Sequence, residues 1–184
     1  MKSRFVLGFV LASLLGSLEI MAQQISLQRF ENNPIIHSGM LPSLEGDNIN
    51  GPSLIKVPTW IKNPLGKYYL YFAHHKGKYI RLAYADQLTG PWKIYEPGTL
   101  QLEDCKCKES SLPAEESVRH QGAENASDKV QHIASPDIYI NEETKEIWMY
   151  YHCPLEHNGK AGQYTLSAVS KDGIQFKSID QVLG

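Results

Sequence analysis

Apolar and aromatic residues recur along this chain in short runs, each bounded by a turn rich in glycine, proline or asparagine, and no long stretch keeps a helical period. The first set of runs is Pro52 to Val57, then Lys67 to Ala73, Tyr79 to Ala85 and Trp92 to Tyr95. It is divided at Asn63-Pro64-Leu65-Gly66, Lys76-Gly77-Lys78 and Leu88-Thr89-Gly90-Pro91, and it closes at Pro97-Gly98. Aromatic and β-branched residues between such turns are strand formers joined in hairpins. The pattern returns as Pro136 to Ile140, Glu146 to Tyr151, Tyr164 to Ser170 and Ile174 to Phe176, with a polar turn over Asn141 to Lys145 and another at Asp172-Gly173. Gly51-Pro52-Ser53 matches Ser135-Pro136-Asp137, and Ala83-Tyr84-Ala85-Asp86 matches Ala168-Val169-Ser170-Lys171. Two repeated four-stranded antiparallel units predict an all-β fold made of β-propeller blades; two unrelated meanders in a sandwich are the alternative.

The ends of the pattern set the organisation. Lys2 and Arg4 precede an apolar run from Phe5 to Leu18, and Ala22 then offers a cleavage point before polar residues, which predicts a secretory signal peptide over 1–22 and a secreted or periplasmic product. The run is shorter than a membrane span, and no later segment is apolar enough to make one, so no membrane partner is expected. Residues 23–184 then form a partial propeller, with a first blade over about 50–98, an inserted loop over 101–131 and a second blade over about 132–180. The loop is mixed in charge, lacks apolar periodicity and is longer than compact domains favour, which predicts a mobile insertion. Two blades leave sheet edges open, so the expectation is a fragment of a longer product, and unpaired edges favour self-association.

Composition narrows the partners. A net charge of −2 without a basic stripe argues against nucleic acid. The ten tyrosines and three tryptophans suit strands and sugar-binding surfaces alike. Cys105, Cys107 and Cys153 are an odd set: a bridge between the first two would be strained, one to Cys153 is open, and a zinc site drawn from Cys105, Cys107, His120 and His132 fits no common spacing. The cysteines are therefore given no role, and no metal ligands are assigned.

Antiparallel connectivity carries the polar candidates to one face. Asp47, Asn48 and Asn50 precede or open the first strand of one unit, and His132 and Asp137 those of the other; the second strands end at His74-His75 and at His152, and Arg81 opens a third. Glycosidic bonds are usually cleaved by two carboxyl groups, one acid and one base or nucleophile, which makes Asp137 and Asp47 the catalytic candidates. Asn50, His74, His75, Arg81, His132 and His152 are the substrate-binding candidates, able to hydrogen-bond sugar hydroxyls or shift a carboxyl pKa. A carbohydrate is thus the expected partner.

The runs Asn50-Gly51-Pro52-Ser53-Leu54-Ile55 and Tyr68 to Ala73, Ala83-Tyr84-Ala85-Asp86 with Leu88-Thr89-Gly90-Pro91-Trp92, and Ser170-Lys171-Asp172-Gly173 with Phe176 resemble glycoside hydrolases of the arabinanase and β-xylosidase type, family 43. The resemblance implies a five-bladed propeller that hydrolyses O-glycosyl bonds, and no cofactor beyond a structural calcium or sodium ion in the central channel. It also implies a general-base aspartate directly before the proline of the first blade, where this chain has Gly51; in the second unit Ala134 and Ser135 stand before the proline and Asp137 after it. The residues leave open a propeller that binds carbohydrate without catalysis, or a cell-surface assembly module.

Overall fold

A computed structural model describes residues 25–110 and 130–183. The signal-peptide reading, His120 and most of the predicted insertion lie outside these residues.

Two four-stranded antiparallel sheets form in chain order. The first comprises β1 (Asn50–Lys56), β2 (Tyr68–Ala73), β3 (Tyr79–Ala85) and β4 (Lys93–Gln101), and the second β5 (Ala134–Asn141), β6 (Glu146–His157), β7 (Lys160–Ser170) and β8 (Lys177–Ile179). Among the described residues no strand joins the sheets into a closed ring, and the helical content is four short 3-10 turns. No helix there is long and apolar enough to cross a membrane.

Alternation along the strands sorts side chains into two layers. From β2, Tyr69, Tyr71 and Ala73 pack with Ile147, Met149, Tyr151 and Cys153 of β6, so the main core lies between the sheets. Leu70 and Phe72 point the other way and pack with Leu41, Ala83 and Trp92, with Ile35, Ile36, Met40 and Ile49 of the preceding segment closing over them. The Tyr71 hydroxyl donates to the Gly173 carbonyl across the core at 2.7 Å, and burial holds that phenol well above its ordinary pKa. The opposite face of the second sheet carries Trp148, Tyr150 and His152, all half-buried, and Tyr139, 57% exposed.

The repeat extends to its irregularities. Between Asn50 and Ser53 the β1–β2 register slips, and between Ala134 and Asp137 the β5–β6 register slips in the same way. These bulges hold Gly51 at φ +58° and Ser135 at φ +51°, each just before a proline.

Several sequence expectations need correction. Pro97-Gly98 does not end the first unit; β4 runs through it to Gln101, with Gly98 at φ +71° beside a register slip opposite Ile80 and Leu82. Ile174 to Phe176 is not a strand. Asp172 accepts the N–H groups of Ile174 and Gln175, holding that segment in a turn, and the ladder begins only at Lys177. His152 is not a strand end, because β6 and β7 continue as a hairpin to His157 and Lys160, turning at Asn158 and Gly159. The described start of the insertion is ordered: 3-10 turns at Leu102–Asp104 and Lys106–Glu109 bury Leu102, Cys105 and Cys107. Nor are the cysteines without a role, since Cys107 is bonded to Cys153 on the core side of β6. That bond also removes Cys107 from any zinc set.

Candidate functional site

Three imidazoles meet where the sheets converge. His75 lies in the turn after β2, His132 just before β5, and His152 within β6; the His75–His132, His132–His152 and His75–His152 ring centroids are 5.6, 5.9 and 6.1 Å apart. Backbone pairing fixes the arrangement. The Ile133 N–H donates to the Gly77 carbonyl at 3.0 Å, tying the approach to β5 against the β2–β3 turn, while His152 pairs with Ala134 across the β5–β6 ladder. His132 is fully buried; its Nδ1 faces the Val130 carbonyl at 2.8 Å and its Nε2 faces the Gln163 amide nitrogen at 3.4 Å. A carbonyl only accepts and an amide NH₂ only donates, so Nδ1 carries the proton and Nε2 presents a lone pair. Burial, then the charge of His75, holds His152 below the ordinary imidazole pKa.

Asn48 links this cluster to the first sheet. Its side-chain oxygen accepts from the His75 backbone N–H at 3.1 Å and from the Asn50 amide at 2.7 Å, and its carbonyl accepts from Arg81 at 3.0 Å. The Asn50 side-chain oxygen is itself buried without a hydrogen-bond partner among the described residues. A buried acceptor left unpaired costs about 1–3 kcal/mol, and a hydroxyl donor would satisfy it.

The other sequence candidates divide. Arg81, 1% exposed, spans Glu45 and Asn48 and lies over the Phe72 and Tyr79 rings, so its described contacts tie residues 45–48 to β2 and β3. His74 is buried, and its Nδ1 accepts from the Lys76 backbone N–H, which shapes the turn that presents His75. Asp47 is exposed. Asp137 is exposed at the edge of the intersheet contact, where the Ser53 hydroxyl lies 3.4 Å from its carboxylate and accepts from the Ile138 N–H. Asn48 is placed on this face by connectivity without a role of its own, and Gln163 has no signal in the sequence pattern. Gln163 lies on an extension of β7 that the alternation around Tyr164 to Ser170 does not signal, although Asn158-Gly159 is the kind of dipeptide that closes a hairpin.

As the side chains stand, no three His, Cys, Asp or Glu residues among those described are arranged to hold a metal ion. The calcium or sodium implied by the resemblance does not fit this cluster, because hard cations take oxygen ligands and the convergent groups here are imidazoles.

No protein-family model matches the chain. The chain is 35% identical over 189 aligned residues to a protein of Acanthamoeba polyphaga mimivirus described as "Uncharacterized protein R118"; the match covers 97% of this chain and 49% of that protein, so the chain spans about half the length of this relative. Among solved structures it is similar to an endo-1,5-α-L-arabinanase from Thermotoga petrophila RKU-1, at 13% identity over 74% of this chain and 41% of that one, with a TM-score of 0.25. A likeness at that level carries no argument about activity.

Proposed function

We propose that this chain is part of an exported, glycoside hydrolase-like β-propeller that binds an oligosaccharide at the convergence of His75, His132 and His152. The observation that supports this most is the unpaired Asn50 oxygen beside a cluster of imidazoles drawn from both sheets. Sugar hydroxyls both donate and accept, which suits a buried amide acceptor linked through Asn48 to imidazoles, whose ring nitrogens can do either. The Cys107–Cys153 disulfide is consistent with export, since such bonds persist in oxidising compartments.

In the catalytic form of this reading, Asp137 and Asp47 are the carboxyl groups. One protonates the leaving glycosidic oxygen, and the other activates water or attacks the anomeric carbon. Replacing Asp137 or His75 by Ala should abolish turnover or binding while leaving the fold intact, with reducing-sugar release from plant and algal oligosaccharides as the readout for turnover and ligand-dependent melting for binding. Unchanged kinetics in both variants would contradict it. A purely binding role is the second reading, favoured by Gly51 at the position before proline and by the contact of Asp137 with Ser53. It predicts sugar-dependent stabilisation without product.

A further inference from the structure

Residues 102–110, at the start of the insertion, touch each of the three segments that carry the clustered histidines. The Leu102 N–H donates to the Lys78 carbonyl at 2.7 Å, which pins the β2–β3 turn that presents His75. Cys107 is bonded to Cys153, the residue after His152 in β6. The Gln131 side-chain amide, next to His132, donates to the Ser110 carbonyl at 2.6 Å and to the Lys108 carbonyl at 3.3 Å. One short stretch thus meets the turn, the strand and the strand entry on which the cluster depends.

Its own hold is uneven. Leu102, Cys105 and Cys107 are buried, and the Asp180 carboxylate accepts from the Lys106 N–H at 3.1 Å, but among the described residues only the disulfide ties the stretch covalently to the second sheet. Hydrogen bonds of partly exposed groups are traded for bonds to water at small net cost, whereas a cross-link keeps its two residues together in any conformation.

We propose that residues 102–110, locked by the Cys107–Cys153 disulfide, are a positioning brace for the histidine cluster, so that a dithiol reductant releases the cluster. In that exchange the dithiol closes to its own disulfide as the Cys107–Cys153 bond opens, and two electrons and two protons pass to the two sulfurs, which become thiols. With the tie gone, Gln131 no longer faces carbonyls held in place, and the His132 and His152 rings lose their fixed separation from each other and from His75. Both sulfurs are buried, so the exchange proceeds through opening of the Lys106–Glu109 turn. The brace concerns the geometry of the cluster and does not depend on the carbohydrate reading.

The test is NMR of the full chain in a Cys105→Ser background, which removes the remaining thiol. The oxidised protein should show nuclear Overhauser contacts among the ring protons of His75, His132 and His152. Dithiol treatment, or Cys107→Ser with Cys153→Ser, should remove these contacts while cross-strand contacts within both sheets persist, and reoxidation of the treated protein should restore them. Gln131→Ala, with the disulfide intact, should lose the contacts of His132 and keep the one between His75 and His152. Trp92→Leu, just before β4 and at the other end of the first sheet from the β2–β3 turn, lowers stability away from the brace and should leave the ring contacts in place. If the protein without the disulfide does not fold, Gln131→Ala decides. Ring contacts that survive reduction in folded protein, or His132 contacts unchanged in Gln131→Ala, would overturn the proposal.

Discussion

Gly51 and Ser135 occupy the same bulge position in the two sheets, and they also meet each other. A Cβ added at Gly51 would stand 2.8 Å from the Ser135 Cα, and the φ of +58° is one that side chains rarely adopt. Gly51→Ala should therefore destabilise the protein by roughly 1–3 kcal/mol in chemical denaturation. Ser135→Gly should be neutral or mildly stabilising, because it relieves the same backbone conformation in the other sheet. Asp172 gives the residue-scale pH dependence. Burial raises its pKa, but the N–H groups of Gln175 and Ile174 and the Ser170 hydroxyl outweigh it, leaving the carboxyl below its ordinary value. The unfolded chain then takes up the proton first as pH falls. The stabilisation is complete above the ordinary carboxyl pKa of about 4 and is lost below it, and Asp172→Ala should flatten that acid limb of a stability–pH curve.

At the scale of elements, strands announce themselves where aromatic runs alternate between layers, as Tyr68 to Ala73 and Tyr79 to Ala85 do. Their ends are less legible. The extension of β6 and β7 through residues 152–164 rests on pairing in which neither strand is strongly alternating, and β8 is displaced because one aspartate captures two amides. Connectivity alone places His75, His132 and His152 on one face, and their ring centroids lie 5.6 to 6.1 Å apart. The disulfide was not, because joining Cys107 to Cys153 depends on two 3-10 turns folding the start of the insertion onto β6, a tertiary event with no local pattern. Its reduction opens a 46-residue separation and should cost about 2–4 kcal/mol, measured as a lower denaturation midpoint in reductant. Burial pushes the Cys105 thiol up to about 11, so alkylation of the native protein at neutral pH should be slow and should accelerate on unfolding.

Across the whole molecule, the described residues cover the first sheet on both faces and the second on one. The N-terminal segment from Ile35 to Ile49 closes the first sheet, the core between the sheets joins them, and Tyr139, Trp148 and Tyr150 remain on the far side of the second. The histidine cluster draws on the β2–β3 turn, the approach to β5 and β6 itself, so its geometry depends on both sheets packing together. The most direct measurement is heteronuclear NMR of histidine ring nitrogens during titration with a panel of oligosaccharides, in the parent protein and in Asn50→Ala. The account predicts saturable shifts of the His75 and His152 resonances for at least one saccharide, weakened when the Asn50 acceptor is removed. Saturable binding that leaves these resonances unmoved, or no binding across plant and algal oligosaccharides, would contradict it.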